Sequence, residues 1–485
     1  MRTTTFAALA SAFAVSTTAI NLAPRRAGVE PRVVQHEIQR RHVANPLQQD
    51  RDRRIRKRQV SGKTVNVPLT NEETLYFMDI SIGTPPQDLR MHIDTGSSDL
   101  WVNTPYSRTC ELRSGPCDAA GTYRANSSST YQYINSDFNI TYVDGSGSSG
   151  DYVSDTVSFN GVNLRNQQFG IGYSSTSAQG ILGIGYPANE VALQYGHQAY
   201  PNIPANLVQK GYISTPAYSL WLNDLDANKG SILFGGVDSA KYTGELQSLP
   251  IIPVGAGAVG IYAEFTVALT SVGNDGDSTS FANNIAIGAL FDSGTSLMYL
   301  PNDIAKNIFD HVGAQYDSSQ GGAFVDCSLA DQNSTIDFTF SGPTIRVPMN
   351  ELVLVAGVQN NQPVCILGIV PSGSNSALLG DTFLRSAYVV YDMASNQISL
   401  AQTDFNATDS NVQEIQQNRA VPSATVVQTP VTSIAVASAG ARIDTGFGGG
   451  GSSSSSSAAA MPMATKGSAY NLAMLGAAGA AILAL

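Results

Sequence analysis

Short apolar runs alternate with turns rich in Gly, Asn, Ser and Pro between residues 65 and 404. Runs of this length bounded by turn residues predict β-strands. The clearest predicted strands are residues 76–82, 138–142, 231–234, 262–269, 335–340, 388–391 and 397–401. Helical patterning is sparse, and its two best segments are residues 205–210 and 302–311. The second begins at Pro301-Asn302-Asp303, which suits a helix start. The pattern predicts an all-β fold.

Two of the apolar runs lead into the same short turn. Residues 91–93 run into Asp94-Thr95-Gly96-Ser97, and residues 290–291 run into Asp292-Ser293-Gly294-Thr295, 198 positions further along. One such tripeptide is ordinary turn chemistry. A third copy, Asp444-Thr445-Gly446, follows no apolar strand, and we interpret it as accidental.

A second element repeats in step with the first. Ile181-Leu182-Gly183 begins 87 positions after Asp94, and Leu378-Leu379-Gly380 begins 86 positions after Asp292. Two elements in the same register indicate a duplicated lobe. We therefore expect one bilobal domain over residues 59–404, with an N-lobe of about residues 65–245 and a C-lobe of about 246–404. A pseudo-two-fold axis would relate the lobes and bring the two aspartates together in the cleft between them.

Two adjacent carboxylates can supply both an acid and a base. They cannot both ionise cheaply at short distance, so they share one proton over an acidic range. Gly96 and Gly294 allow tight turns that keep backbone N–H groups near the carboxylates. We expect Ser97 and Thr295 to donate hydrogen bonds to the outer carboxylate oxygens. Thr95 and Ser293 are expected to pack and bond across the lobe junction. Such a pair can hydrolyse a peptide bond through activated water, with no cofactor.

The motifs also resemble a known family. The runs 94–102 and 292–296, with Asp94 and Asp292 at their starts, are similar to the two signatures of pepsin-like (family A1) aspartic proteases. Residues 76–87 resemble the opening strand of that family, and the similarity covers roughly residues 65–404. The fungal cell-surface yapsins and candidapepsins look most similar. The resemblance implies a bilobal fold, catalytic Asp94 and Asp292, and cleavage of proteins or peptides at acidic pH.

The family closes a β-hairpin flap over its substrate, and residues 139–146 match that hairpin. The resemblance makes Tyr142 the flap tyrosine and Trp101 its hydrogen-bonding neighbour. The alternative is an ordinary hairpin with a core aromatic. Val143 stands where many relatives have Gly, which leaves the mobility of the flap open.

Asp144 bears on specificity. Fungal relatives with Asp at this flap position imply acceptance of Lys or Arg before the scissile bond, by charge pairing. The alternative is a solvated turn acid. The loop between Cys110 and Cys117 is short and lacks the long acidic insertion of yapsins with strict basic specificity. We therefore expect hydrophobic residues to be accepted too.

Charge divides the chain sharply. Residues 20–58 carry eleven Lys or Arg against four acidic residues, and the rest of the chain without Arg2 has a net charge of −19. This excess of negative charge would repel phosphate groups and therefore argues against nucleic-acid binding. The basic segment ends at Lys57-Arg58, which looks like a site for a Kex-type processing protease. We expect an inhibitory pro-segment that binds the acidic cleft and loosens as carboxylates protonate. The alternative is a disordered arm.

Both ends of the chain indicate export. Residues 1–19 have the weak positive start, apolar run and small residues of a signal peptide. Residues 405–468 are rich in Ser, Thr, Ala, Val and Gly and predict an extended stalk that buries no core. Residues 469–485 match a GPI-anchor signal, with attachment at a small residue between 451 and 460. An ordinary membrane helix and a soluble secreted form are the alternatives. We expect a monomer at the cell surface, on the plasma membrane or in the wall.

Secretion makes the cysteines and the sequons interpretable. An even cysteine count favours disulfides, and pairing of Cys110 with Cys117 and of Cys327 with Cys365 is the simplest of three connectivities. Zinc is the alternative. The glycosylation sequons share the pattern Asn-x-Ser/Thr and start at Asn126, Asn139, Asn333 and Asn406.

The histidines exclude two other protease classes. His36, His42, His92, His197 and His311 form neither a Gly-x-Ser-x-Gly triad nor a His-Glu-x-x-His zinc motif. His92 is interpreted as a packing residue, and no metal site is predicted. The rival hypothesis is a catalytically inactive relative that serves as a wall-structural or binding protein.

Overall fold

The computed structural model describes residues 32–41, 75–142, 146–227, 229–254, 260–359 and 362–434. The strands of the first half are β1 Val34–Arg41, β2 Leu75–Ile82, β3 Gln87–Asp94, β4 Leu100–Asn103, β5 Gln132–Thr141, β6 Gly147–Phe159, β7 Val162–Ser175, β8 Gly180–Gly183, β9 Ala217–Trp221, β10 Lys229–Phe234, β11 Gly236–Asp238 and β12 Tyr242–Pro250.

The second half continues the same pattern. Its strands are β13 Thr266–Leu269, β14 Ser271–Asn274, β15 Asp277–Ala282, β16 Ile287–Phe291, β17 Met298–Leu300, β18 Gln315–Asp317, β19 Gly322–Val325, β20 Thr335–Thr339, β21 Thr344–Pro348, β22 Val353–Gln359, β23 Gln362–Leu367, β24 Ile369–Pro371, β25 Ala377–Leu379, β26 Ala387–Asp392, β27 Gln397–Thr403, β28 Val412–Glu414 and β29 Ala424–Val426. The predicted all-β class is confirmed.

Helices in the described ranges are few and short. They are α1 Ile203–Gln209, α2 Asn302–Val312, α3 Met349–Leu352 and α4 Asp381–Leu384, with 3-10 turns at Ala125–Ser127, Pro187–Asn189, Val191–Tyr195 and Cys327–Asp331. The two predicted helices are therefore present. The side chain of Asn202 caps α1 by accepting from the N–H of Ala205 at 3.3 Å. Gly313, with φ of 71°, ends α2 in the left-handed conformation. None of these helices is both long and apolar enough to cross a bilayer.

One large sheet joins the two lobes. Its order is β29-β12-β27-β26-β9-β10-β1-β2-β3-β8-β4-β7-β6-β5, with a further pairing of β2 and β6. The C-lobe adds the sheets β13-β16-β25-β17-β24, β15-β14-β20-β21 and β18-β19-β23-β22. The lobe boundary predicted near residue 245 falls inside β12, which pairs with β27 from the end of the second lobe. Strand 262–269 of the prediction is shorter in the structure and begins at Thr266.

Part of the basic segment lies in this sheet. Strand β1 runs antiparallel to both β10 and β2. Ile38 is fully buried in the core, and Lys229 forms an ion pair with Glu37 at 2.8 Å. Residues 32–41 are thus held by backbone pairing and apolar burial, as well as by charge.

The predicted start of the stalk needs correction. Residues 405–434 pack on the body: β28 pairs with β11, and β29 extends the large sheet by pairing parallel to β12. Ile415 and Val421 are 0% and 2% exposed in a cluster with Trp221. The prediction failed because average composition hides widely spaced apolar residues that need a pre-existing surface to be buried. We name residues 405–434 the C-terminal strap.

The cysteines pair as predicted, Cys110 with Cys117 and Cys327 with Cys365. No group of His, Cys, Asp or Glu within the described ranges could hold a metal ion. The sequon side chains at Asn126, Asn139, Asn333 and Asn406 are exposed. Several predicted features lie outside the described residues: the signal peptide, Lys57 and Arg58, Asp144, the rest of the stalk with Asp444-Thr445-Gly446, and the C-terminal tail.

Candidate active site

Strand pairing explains why the sequence elements repeat at matched distances. Strand β3 ends at Asp94, and β8 runs parallel to it with Asp94 opposite Gly183. In the other lobe β16 ends at Phe291, and β25 runs parallel to it with Phe291 opposite Leu379. Each apolar-apolar-Gly element is therefore the strand beside its own aspartate.

Each aspartate is held by the same set of donors. The N–H of Gly96 donates to Oδ1 of Asp94, and the N–H of Gly294 donates to Oδ1 of Asp292, both at 2.8 Å. The hydroxyl of Ser97 donates to Oδ2 of Asp94.

The matching hydroxyl of Thr295 donates to Oδ2 of Asp292 at 2.7 Å. Asp94 and Asp292 are 5% and 8% exposed, so these donors replace most of their hydration. The donor sets have the two-fold relation that the duplicated sequence indicates.

The two aspartate loops bond to each other across the lobes. The N–H of Thr95 donates to Oγ of Ser293 at 3.2 Å, and the N–H of Ser293 donates to Oγ1 of Thr95 at 3.0 Å. Each hydroxyl then donates to a carbonyl of the opposite lobe: Thr95 to Phe291 at 2.9 Å and Ser293 to Ile93 at 3.0 Å. The four bonds fix the separation of the two carboxyl groups.

His92 contributes to the same junction. Its Nε2 lies 3.3 Å from the carbonyl oxygen of Ser293, and its ring packs on Phe77. The expectation of a packing residue omits this polar contact with the opposite lobe.

The two carboxyl groups face each other: a Cβ built on Gly294 would contact Oδ1 of Asp94 and would lie 2.9 Å from Oδ1 of Asp292. A Cβ built on Gly96 would meet Oδ1 of Asp292 at 2.6 Å, so the loop of one lobe directly covers the other aspartate. Burial, and then the charge of Asp292, raises the pKa of Asp94 to about 8, against the opposing hydrogen bonds from Ser97 and Gly96. The pair therefore retains one proton across the acidic range.

The flap hairpin stands over this pair. Strands β5 and β6 pair up to Thr141 and Gly147, and the N–H of Tyr142 donates to the carbonyl of Ser146 at 2.8 Å. The indole Nε1 of Trp101 donates to Oη of Tyr142 at 2.8 Å. Burial, with the Asp94 charge second, raises the pKa of Tyr142 well above its ordinary value, so the phenol stays neutral.

Comparison with known proteins agrees with this geometry. A profile of the family described as eukaryotic aspartyl protease matches residues 75–403. This chain belongs to that family. The predicted membership of the pepsin-like aspartic proteases, and with it the enzyme class, is confirmed.

Three relatives of this aspartyl protease come from fungi. "Probable aspartic-type endopeptidase opsB" of Aspergillus oryzae is 51% identical over 422 residues, 85% of each chain. Candidapepsin-3 of Candida albicans is 39% identical over 363 residues, 73% of this chain and 85% of the relative. Aspartic proteinase 3 of Saccharomyces cerevisiae is 33% identical over 429 residues, 73% of this chain and 74% of the relative.

A solved structure supports the fold independently. The crystal structure of the aspartic proteinase from Irpex lacteus superposes with a TM-score of 0.58 at 22% identity, covering 78% of this chain and 100% of that one. At this identity the likeness concerns the fold alone.

The sequence analysis missed two buried acids of this aspartyl protease near the site. Asp99 accepts hydrogen bonds from the hydroxyls of Tyr152 and Tyr200 at 2.7 and 2.8 Å, and from the N–H of Val191 at 2.9 Å. It thereby holds the strand that carries Trp101. Glu264, 4% exposed, lies two residues before β13, the strand that pairs with β16. In the sequence, Glu264 stands out only as an acidic residue inside an apolar run.

Proposed function

We propose that this protein is a secreted aspartic endopeptidase that hydrolyses proteins and peptides at acidic pH. The observation that carries the proposal is the pair of matched donor sets around Asp94 and Asp292, whose carboxyl groups face each other. A pair with one proton offers a base and an acid in the same place. The names of the relatives point to the same reaction.

The mechanism follows from that shared proton. The charged carboxylate takes a proton from water while the water oxygen attacks the carbonyl carbon of the scissile bond. The protonated carboxyl gives its proton to the carbonyl oxygen, which leaves a neutral tetrahedral diol. The nitrogen then takes the proton held by one carboxyl while the other, charged carboxylate takes a proton from a hydroxyl of the diol. The C–N bond breaks to give a carboxylic acid and an amine, and the pair again holds one proton. Hydrogen bonds from Gly96, Ser97, Gly294 and Thr295 keep the carboxyls oriented throughout.

The flap and the cluster under it set the specificity. Trp101, Phe138, Ile140, Val191, Ala192 and Tyr200 form a buried apolar cluster with Tyr152, and Tyr142 and Ile181 pack on it. A side chain before the scissile bond that reaches this cluster gains by being apolar. Asp144, which lies outside the described residues, is proposed from the family resemblance to add an acceptor for Lys or Arg.

The chain is further proposed to be made as a zymogen and tethered at a fungal cell surface. Removal of the signal at residues 1–19 and of the basic segment after Lys57-Arg58 by a Kex-type protease would release the mature enzyme. The remaining chain past the C-terminal strap would lead to a GPI anchor in the plasma membrane or the wall. The mature enzyme is proposed to act as a monomer.

Activity of Asp94→Asn tests the proposal. The purified mature enzyme should cleave a peptide library at pH 4, and Asp94→Asn or Asp292→Asn should lose at least about a thousandfold of kcat, because each removes one of the two proton carriers. An exposed-site variant, Asp310→Asn, is the control. Full cleavage by Asp94→Asn would refute the dyad, and an inert wild type would favour the inactive relative. The mature N-terminal residue tests the Arg58/Gln59 boundary.

A further inference from the structure

Glu264 is a third acid placed beside the two proposed catalytic ones. In the antiparallel pair β13–β16, Thr266 stands opposite Leu290. The pairing continues one step further, since the N–H of Phe291 donates to the carbonyl of Phe265 at 3.2 Å. Glu264 and Asp292 are the next residues along the two segments from this bonded pair, and both are buried there.

The side chain of Glu264 is buried, and one of its carboxyl oxygens has no hydrogen-bond donor. Glu264 is 4% exposed, and its Oε1 is fully buried with no hydrogen-bond partner. Within the described residues no ion pair joins it to a cation. An unpaired buried acid is expensive to keep and points to a role beyond packing.

The groups that face Glu264 leave Asp292 as its charged neighbour. Phe265, next in sequence, packs among Tyr186, Tyr218 and Tyr391. Tyr262, two residues earlier, faces Tyr186 with ring centroids 6.4 Å apart. Burial first, and then the charge of Asp292, raises the pKa of Glu264 to about 7.

We propose that Glu264 is a positioning residue for the shared proton: its charge, acting through Asp292, keeps that proton on the Asp94–Asp292 pair as the pH rises toward neutral. The proposal rests on the proposed dyad mechanism. Electrostatic coupling between titrating sites is reciprocal, so a group whose proton is retained because of Asp292 must in turn hold the proton of the pair. Below about pH 6 Glu264 is neutral and has no such effect.

The sign of the effect follows directly. When Glu264 ionises, its negative charge disfavours a second negative charge on the pair, so the pair loses its last proton at a higher pH. Glu264→Gln keeps the shape and removes that charge. In the variant the pair should therefore deprotonate, and activity should fall, at a lower pH than in wild type.

A pH profile of kcat/KM between pH 3 and 9 is the test, with a peptide substrate that has no group titrating in this range. Glu264→Gln should move the alkaline limb to lower pH by about half a unit or more, which is about threefold in rate on the limb. Values of kcat below pH 5 should match wild type. Glu264→Asp retains a carboxylate and should restore part of the shift.

Glu190→Gln is the matched control. Glu190 is 1% exposed with an unpartnered Oε1 like Glu264, but its charged neighbour is Asp99 rather than Asp292. The alkaline limb of the kcat/KM profile of Glu190→Gln should superpose on that of wild type. The proposal is overturned if the alkaline limb of the Glu264→Gln profile is unchanged or moves to higher pH. It is also overturned if Glu264→Gln loses the same fraction of kcat at every pH.

A second measurement covers the case in which Glu264→Gln does not fold. Infrared difference titration of wild type and Asp292→Asn follows the carboxyl that ionises near pH 7, and this midpoint should fall in Asp292→Asn because the repelling charge is gone. An unchanged midpoint refutes the coupling. Failure of the dyad itself is distinct, because it shows as full cleavage by Asp94→Asn.

Discussion

Thr95 and Ser293 exchange backbone-to-hydroxyl hydrogen bonds at 3.2 and 3.0 Å, one residue from each of the proposed catalytic aspartates. Both side chains are almost fully buried, at 2% and 0% exposure. Because each hydroxyl also reaches a carbonyl of the opposite lobe, neither can be removed without leaving buried polar groups unpaired. The junction is thus a rigid link between the lobes at the point where the carboxyl spacing matters most.

Ser293→Ala should therefore reduce both stability and turnover. It leaves the N–H of Thr95 and the carbonyl of Ile93 without partners, which costs about 1–3 kcal/mol in the free energy of unfolding. We expect kcat to fall more than KM rises, because the carboxyl spacing loosens. Chemical denaturation and steady-state kinetics measure the two effects. Ser136→Ala, at an exposed serine on the flap hairpin, is the control; equal effects at both sites would contradict the role of the junction.

Tyr142→Phe tests the flap contact. The change removes the acceptor of the Trp101 indole, whose N–H then has no partner in a buried place. The unpaired donor costs about 1–3 kcal/mol in the free energy of unfolding. We also expect kcat/KM to fall about tenfold, because Tyr142 loses the bond that positions its ring. Tyr133→Phe, at an exposed tyrosine on the same hairpin, should leave kcat/KM unchanged. A Tyr142→Phe enzyme as active as wild type would remove Tyr142 from the proposed site.

The proposed catalytic pair could be predicted from the sequence because the residues that mark it are close together along the chain. Asp94 and Asp292 are marked by turns that must be tight, and their companion strands recur at the distances that a duplicated lobe requires. Trp101 and Tyr142 could be paired through family resemblance. Glu264 and Asp99 could not be recognised, since burial of a single acid depends on strands that meet only in the folded chain.

The ends of the domain were harder to predict because their burial depends on residues that are distant along the chain. Strand β1 is polar and basic over most of its length, and it joins the sheet by pairing its backbone with β2 and β10. Ile415 and Val421 are too far apart to show a strand or helix period. Each is buried by a surface that the rest of the chain supplies, and composition alone therefore suggested a stalk.

The C-terminal strap should stabilise the peptidase body. Ile415 is fully buried, and its N–H donates to the carbonyl of Gly235 at 2.8 Å. Ile415→Ala leaves a cavity and should lower the free energy of unfolding by about 2–5 kcal/mol. Val426→Ala, at a residue 48% exposed in β29, should change it by less than about 0.5 kcal/mol. Equal unfolding midpoints for the two variants would argue that the strap is dispensable.

Stability should fall as the pH rises from about 4 to 8. Burial raises the pKa of Asp94 to about 8, and also raises those of Asp99, Glu190, Glu264 and Asp381. Each acid binds its proton more tightly in the folded state, so the folded protein holds more protons than the unfolded chain throughout this window. The stabilisation is complete below the unfolded pKa values near 4 and is lost as the pH passes through each folded value.

Asp94→Asn isolates one part of that dependence. One extra bound proton contributes about 1.4 kcal/mol of unfolding free energy per pH unit, so the variant should lose less stability than wild type between pH 4 and 8. Thermal unfolding of both proteins at pH 4, 6 and 8 measures the difference. Asp310→Asn, at an exposed acid on α2, should follow the wild-type dependence. Parallel curves for Asp94→Asn and wild type would mean that Asp94 does not hold its proton above the ordinary range, which would contradict a shared proton on the pair at neutral pH.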